Sequence, residues 1–83
     1  MTVIKKDTLL QDLQTKLQQI KPNLPDNIPP DDHLKNTWGL DSMDLVEFVA
    51  RIEYQYKIII PDDVLPQFHT LNNVMQYLDE NLS

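Results

Sequence analysis

The sequence predicts an all-α domain with three longer helices, one short helical turn and a long loop after the first helix. Three observations predict this fold class. Apolar residues recur at helical spacing in three separate segments. Prolines at positions 22, 25, 29 and 30 interrupt the helical pattern after the first of these segments. The chain also has a single glycine and no run of alternating apolar and polar residues, which argues against a sheet.

The first predicted helix carries an apolar stripe opposite a glutamine-rich face. At about 100° per residue the apolar side chains fall within one arc, as in an amphipathic helix. These side chains are Leu9, Leu10, Leu13, Leu17 and Ile20. Asp7 or Thr8 is a suitable N-cap, and a start nearer Thr2 is the alternative.

A long loop is expected over residues 21–36, because its prolines exclude a continuous helix. Isolated apolar residues, Leu24, Ile28 and Leu34, would anchor this loop to the core. The loop returns the chain so that the first and second helices can lie side by side.

The second helix is predicted over about residues 42–56. Asp41 is a good N-cap for it, and Asp44 in the first turn suits the helix dipole. The face expected in the core consists of Leu45, Phe48, Val49, Ile52 and Tyr56.

The last third of the chain is expected to form a connector, a short helical turn and a final helix. Residues 57–60 are β-branched but lack a partner strand, which predicts a buried extended connector. Pro61 at a first helical position starts the turn, and Pro66 keeps it short. Thr70 caps the final helix, whose apolar stripe is Leu71, Val74, Met75, Leu78 and Leu82.

Composition limits the function classes. With 83 residues we expect one domain, residues 1–83, with a small core. Thirteen acidic residues against seven basic ones give a formal charge of −6, which disfavours nucleic acids and anionic membranes. Such a surface suits proteins with basic patches, although a plain role in solubility is the alternative.

Several sites are not expected at all. The absence of cysteine excludes disulfides, a thiolate nucleophile and a cysteine zinc site. Adjacent acids at 31–32 and 62–63 lack calcium-loop spacing, so we expect no metal. Because the sequence shows neither a signal peptide nor a membrane span, we expect a complete and soluble protein. A cytoplasmic location is compatible with the absence of cysteine, and we expect a monomer.

The most informative segment is residues 38–45. Ser42 lies where a loop becomes a helix, so its hydroxyl is exposed at the positive end of a helix dipole. An anion attached there would be favourably placed, although an isolated serine of this kind is usually an ordinary helix-start residue. A hydrolase is disfavoured because the Gly-x-Ser-x-Gly turn is absent and because His33 and His69 are expected to be solvated loop residues.

The run Gly39-Leu40-Asp41-Ser42-Met43 resembles the Gly-x-Asp-Ser-Leu signature of acyl carrier proteins. The resemblance covers nearly the whole chain, including the long first loop, the Ile-Pro-acid segment within residues 58–63 and the final helix from Thr70. It implies a four-helix bundle of the acyl carrier protein type with a short third helix. Met43 stands where the family usually has leucine. Trp38 is large for its place before the serine, where it would cover the core or flank the prosthetic arm that the family carries on this serine.

The resemblance also implies a function. Ser42 would be joined by a phosphodiester to 4′-phosphopantetheine, which a separate phosphopantetheinyl transferase takes from coenzyme A with Mg²⁺. Acyl groups would then be carried as thioesters on the arm for a fatty-acid, polyketide or other specialised pathway, and the protein would not be an enzyme. Gly39 would leave space beside the arm, and Asp41 would cap the helix and be read by the transferase. Whether the carried group is fatty acyl, polyketide, aminoacyl or aryl stays open.

Partner enzymes, such as acyl-loading and ketosynthase-type enzymes, would dock on the second helix through basic patches on their own surfaces. The docking residues expected are Asp41, Met43, Asp44, Glu47, Ala50 and Tyr54, extended by Asp62 and Asp63. A cavity between the second and third helices could hold an acyl chain, lined by Phe48, Ile58, Ile60, Val64, Leu65 and Phe68. The alternatives are a solvated polar face for the first set and plain core packing for the second. The rival for the whole protein is a small acidic helical interaction module without a prosthetic group.

Overall fold

A computed structural model describes residues 6–82 of the chain. Within this range the elements are all helical, which confirms the predicted all-α class. In chain order they are α1 (Lys6–Ile20), α2 (Leu34–Trp38), α3 (Ser42–Tyr56), the 3₁₀ helix η1 (Asp62–Gln67) and α4 (Leu71–Leu82).

The core lies where α1 packs against α3 and α4. The apolar stripes predicted for these helices supply most of it, and each buried leucine or phenylalanine contributes about 1.5–3 kcal/mol of transfer free energy. The buried members of the three stripes are Leu9, Leu13, Leu17, Phe48, Val49, Ile52, Leu71, Val74, Met75 and Leu78. The loop residues Leu24, Ile28 and Leu34 are also buried, so the predicted anchoring of the loop is confirmed. The side chain of Leu82 lies outside the described residues.

The start of α1 differs from the prediction. Asp7 and Thr8 lie inside the helix, because helical geometry already includes Lys6, so neither residue is the N-cap. Asp7 instead occupies the first turn, where its charge suits the helix dipole. The alternative start near Thr2 lies outside the described residues.

A short helix, α2, occupies the end of the predicted loop. His33 caps it, with its Nδ1 accepting a hydrogen bond from the Asn36 N–H at 3.1 Å. Gly39 ends it in the left-handed region at φ +73°. The Gly39 N–H donates to the Lys35 carbonyl at 3.0 Å, and the Leu40 N–H donates to the Leu34 carbonyl at 3.1 Å. Gly39 therefore separates α2 from α3 and turns the chain towards Ser42.

The connector after α3 is only partly buried. Ile60 is buried and Ile58 is half-buried, but Ile59 is 85% exposed, so the prediction of a buried connector is wrong at that residue. The chain leaves α3 through Lys57 in the left-handed region, and the Ile60 N–H donates to Glu53 Oε2 at 2.8 Å. This bond fixes the connector to the last turn of α3.

The short helical turn is longer than predicted because Pro66 lies inside η1. Its fixed φ suits a 3₁₀ helix, so the ring does not end the element. Pro61 is the N-cap rather than the first helical residue. The predicted cap of α4 is confirmed, because Thr70 Oγ1 accepts from the Asn73 N–H at 3.2 Å and Asn73 Oδ1 accepts from the Thr70 N–H at 3.0 Å.

A partly buried polar cluster joins the last turn of α3 to α1. The Lys16 ammonium pairs with Asp12 at 2.8 Å and also donates to Gln55. The Tyr56 hydroxyl donates to Asp12 at 2.6 Å. Burial and the neighbouring Asp12 carboxylate together raise the pKa of Tyr56, so its neutral, donating form is favoured. The cluster holds the end of α3 that lies far from Ser42.

Candidate functional site

The start of α3 is fixed by a reciprocal capping box. The Asp44 N–H donates to Asp41 Oδ1 at 2.9 Å, and the Asp41 N–H donates to Asp44 Oδ2 at 3.2 Å. Ser42 is therefore the first helical residue, and its side chain is exposed. Within residues 6–82 no side chain forms a hydrogen bond with the Ser42 hydroxyl. The hydroxyl is presented to solvent by a well-ordered helix start.

The carboxylate beside Ser42 is held in its charged form. The hydrogen bond from the Asp44 N–H is the main cause that lowers the pKa of Asp41, and the Met43 N–H and the charge of Lys21 lower it further. A carboxylate with a lowered pKa is a weak base. Asp41 therefore caps and orients the helix rather than taking the Ser42 proton.

The backbone conformation at position 39 favours glycine. Its φ of +73° is strained for residues with an L side chain, whereas a Cβ added there would meet no atom within 4 Å. The open space beside Gly39 agrees with the expectation that it leaves room for the arm, which stays a prediction.

Lys21 is a site residue that the sequence pattern did not indicate. Its ammonium donates to the Gly39 carbonyl at 3.2 Å and lies 3.6 Å from Asp44 Oδ2. Lys21 thus joins the end of α1 to both sides of the Ser42 turn. Trp38 packs against the core, and its Nε1–H donates to Asp32 at 3.2 Å. Of the two roles considered for Trp38, the structure shows contact with the core.

A cavity of about 270 Å³ opens beside Ser42. Its apolar wall comes from the start of α2, from both sides of Ser42 and from η1 with the residue after it, and consists of Leu34, Leu40, Leu45, Leu65, Pro66 and Phe68. Leu65 and Phe68 are thus the two predicted lining residues that line this cavity. The other predicted residues lie elsewhere: Phe48 and Ile60 are buried in the core, and Ile58 and Val64 pack against it from half-buried positions.

The two histidines also line this cavity. Their ring centroids are 5.3 Å apart, and the Leu34 N–H donates to the His69 carbonyl at 2.8 Å. The expectation that both are solvated loop residues is wrong for His33, which is half-buried and caps α2. The sequence does not indicate that His33 and His69 lie side by side, because the fold, rather than the sequence spacing, brings their two loops together. Neither imidazole is hydrogen-bonded to Ser42 in the described part of the chain.

The predicted docking stripe lies on the outer face of α3. Met43 is 81% and Tyr54 is 87% exposed, and Glu47 and Ala50 are exposed between them. Val46, which the sequence did not single out, is 54% exposed and extends the apolar part of the stripe. Asp62 and Asp63 are exposed at the start of η1.

The acids of this stripe have cationic neighbours. Asp44 is half-buried and pairs with Lys21 at 3.6 Å, and Glu47 pairs with Arg51 at 3.5 Å. Arg51 also donates to Gln19 Oε1 on α1 at 3.1 Å. The face of α3 is therefore less negative and more apolar than the sequence pattern predicted.

Among residues 6–82 no three histidine or acidic side chains lie close enough together to hold a metal ion. In the same range no helix combines the length and the apolar character that crossing a bilayer requires.

Known proteins similar to this chain identify its family. A family model described as "Phosphopantetheine attachment site" matches residues 7–78. The mitochondrial acyl carrier protein of Neurospora crassa is 37% identical over 76 residues, which are 90% of this chain and 57% of that protein. The acyl carrier protein of Zymomonas mobilis is 30% identical over 57 residues, covering 69% of this chain and 73% of the relative. That of Amoebophilus asiaticus is 32% identical over 59 residues, covering 71% and 74%.

The chain therefore belongs to the acyl carrier protein family, whose shared domain is a phosphopantetheine attachment site. The predicted family, fold class and cofactor are confirmed. The chain spans somewhat more than half the length of the Neurospora relative and about three quarters of the two bacterial ones.

Proposed function

We propose that Ser42 is the residue that bears 4′-phosphopantetheine, and that residues 1–83 form one carrier domain that presents acyl groups as thioesters. The observation that carries this proposal is the exposed Ser42 hydroxyl at the first residue of α3, beside an open cavity. The chain has one other serine, Ser83, which lies outside the matched residues 7–78.

The surroundings of Ser42 fit an attached phosphodiester. The first-turn N–H groups of a helix lack helical acceptors, so a negative charge is favoured at this end of α3. At Gly39, a Cβ would meet no atom within 4 Å, so the space beside this residue is open. The group would supply the reactive thiol, which this cysteine-free chain does not have.

The attachment step needs an external base. Ser42 Oγ would form a bond to phosphorus while the bond from that phosphorus to the nucleotide part of coenzyme A breaks. The Ser42 proton would leave to the transferase, because Asp41 is a weak base and neither imidazole is hydrogen-bonded to the hydroxyl. The chain contributes position and exposure, and the catalysis belongs to its partner.

The outer face of α3 is the proposed docking surface for the transferase and for acyl-loading or ketosynthase-type enzymes. Met43, Val46 and Tyr54 would supply apolar contacts, and the paired acids would supply weaker electrostatic ones. A cytoplasmic location and the identity of the acyl group stay predictions; one relative is named as mitochondrial.

The attachment site is tested by mass spectrometry. We expect the wild type and Ser83→Ala to gain the mass of one phosphopantetheinyl group after incubation with coenzyme A, Mg²⁺ and a broad-specificity transferase. Ser42→Ala should gain none, with an unchanged far-UV circular dichroism spectrum. An unmodified wild type, beside a carrier protein that is modified as a positive control, would favour the interaction module without a prosthetic group.

A serine hydrolase is the second candidate, because Ser42 and both histidines line one cavity. The unmodified protein would then cleave a generic aryl ester, and Ser42→Ala would abolish that activity. We expect no difference between the two proteins, since the hydroxyl has no hydrogen bond to either ring.

A further inference from the structure

We propose that His33 and His69 form a binding site for an oxygen acceptor on the group attached to Ser42. The acceptor is a carbonyl, hydroxyl or carboxylate oxygen, supplied either by the arm or by the acyl group it carries. This inference rests on the proposed function, since it needs a group on Ser42. It assigns a role in binding to two side chains that the attachment chemistry leaves unused.

The cap of α2 determines which nitrogen of His33 carries a proton. Nδ1 accepts from the Asn36 N–H at 3.1 Å, so in the neutral ring the proton is on Nε2. No described residue accepts a hydrogen bond from that Nε2–H. His33 therefore offers an unused donor on a half-buried ring that lines the cavity beside Ser42.

His69 is held next to His33 by main-chain bonds that do not involve either ring. The His69 carbonyl accepts from the Leu34 N–H at 2.8 Å, and the His69 N–H donates to Asn73 Oδ1 at 3.1 Å. The first bond joins His69 to the start of α2, and the second joins it to the first turn of α4. The two rings, with centroids 5.3 Å apart and planes 33° apart, consequently form one preformed wall.

The remaining lining makes this wall selective. The apolar part of the lining consists of Leu34, Leu40, Leu45, Leu65, Pro66 and Phe68, and the rest of the lining beside the histidines consists of Lys35, Asp41 and Ser42. A hydrogen bond made beside the apolar part is stronger than one in water. The cavity volume of about 270 Å³ lies just below the range of about 300–1,000 Å³ typical of small-molecule sites. The cavity thus accommodates a short group, and its histidines favour one that carries oxygen.

Nitrogen NMR of the protein labelled with ¹⁵N-histidine tests the contact directly. Four samples are compared: the unmodified protein, the protein with the arm alone, and the arm loaded with acetyl or 3-hydroxybutyryl. In the unmodified protein we expect the proton of the neutral His33 ring to be on Nε2. The Nε2 signal of His33 should then shift in at least one of the three modified samples. A shift already present with the arm alone places the oxygen in the arm. A shift that first appears with acetyl or with 3-hydroxybutyryl places it in the cargo.

Unchanged imidazole signals in all three modified samples would overturn the inference. Intact mass of the same samples reports the loading of Ser42 separately, so the proposed function would then still stand. An unloaded Ser42 would instead overturn the proposed function, and this inference with it.

Two variants remove the imidazole donors while keeping the local structure. His33→Asp retains a side-chain acceptor for the α2 cap and has no donor when ionised, and His69→Phe retains an aromatic ring. In the loaded sample that shows the NMR shift, we expect hydroxylamine to cleave the thioester of each variant about two- to tenfold faster, as for the loss of one hydrogen bond. Gln76→Ala, an exposed change on α4, is the matched control and should react as the wild type does. Equal rates for both histidine variants and the control would contradict the proposed site.

Discussion

Gly39 gives a sharp prediction about the turn that presents Ser42. In Gly39→Ala the new side chain would have to adopt φ near +73°, although its Cβ would meet no atom within 4 Å. The left-handed conformation costs an L-residue about 1–2 kcal/mol. Reduced freedom of the unfolded chain offsets about 0.4–1 kcal/mol of that cost. We therefore expect the free energy of unfolding to fall by about 1 kcal/mol.

Urea unfolding followed by far-UV circular dichroism measures this change. With a slope near 1 kcal/mol/M, the midpoint should fall by about 1 M while the slope stays constant. A chemically synthesised chain with D-alanine at position 39 is the matched control, because a positive φ suits a D-residue. Its midpoint should equal or exceed that of the wild type.

Two results would contradict the requirement for a left-handed conformation at Gly39. If Gly39→Ala were as stable as the wild type, the left-handed turn would not be the constraint. If the D-alanine variant lost as much stability as Gly39→Ala, the site would require space rather than backbone conformation. Slower loading of the D-alanine variant at unchanged stability would support the expectation that Gly39 leaves room for the arm.

Three further predictions concern charges. The pKa of Asp41 is lowered in the folded protein. Its charged form therefore stabilises the fold at pH values above the usual aspartate pKa of about 3.9. This contribution is lost as the pH falls through the lower pKa of the folded state. Asp41→Asn should therefore show a smaller decrease in urea midpoint between neutral pH and about pH 3 than the wild type; an equal decrease would contradict the cap. The raised pKa of Tyr56 has the opposite sign, with stability present below the usual tyrosine pKa of about 10 and lost as the pH rises above it. Tyr56→Phe should be less stable at neutral pH and lose less stability in alkali, and parallel stability curves would argue against the bond to α1. The double variant Lys21→Gln with Arg51→Gln removes both cations that pair with the acids of the α3 stripe. Because the stripe then becomes more negative, the KM of a transferase with a basic docking patch should fall, and this KM should depend more steeply on salt. A KM that does not change with these substitutions would indicate docking through apolar contacts alone.

The sequence predicts the long helices well because their cores depend on local periodicity. The leucines of α1 and the stripe of α4 repeat over three or more turns, so one buried face follows from spacing. The start of α3 is also local, since Asp41 and Asp44 form a capping box within four residues. Helix α2 was missed because five residues after several prolines are too short for a period, and histidine is not a typical N-cap.

The surroundings of Ser42 could not be predicted because they depend on tertiary contacts. Lys21 reaches the Ser42 turn across 18 residues of sequence. His33 and His69 meet because the Leu34 N–H donates to the His69 carbonyl, a contact between loops that no local pattern marks. The cavity consequently lies beside the turn and η1, where only two of the six residues proposed for an acyl cavity contribute to it.

Tandem mass spectrometry of protein purified from its source tests the central claim most directly. Tryptic cleavage after Lys35 and Arg51 releases the peptide 36–51, which holds two hydroxyl residues, Thr37 and Ser42. We expect a phosphopantetheinyl mass on this peptide, with fragment ions that place it on Ser42. A peptide without added mass, or fragments that place the mass on Thr37 or on another peptide, would contradict the assignment of Ser42 as the carrier residue.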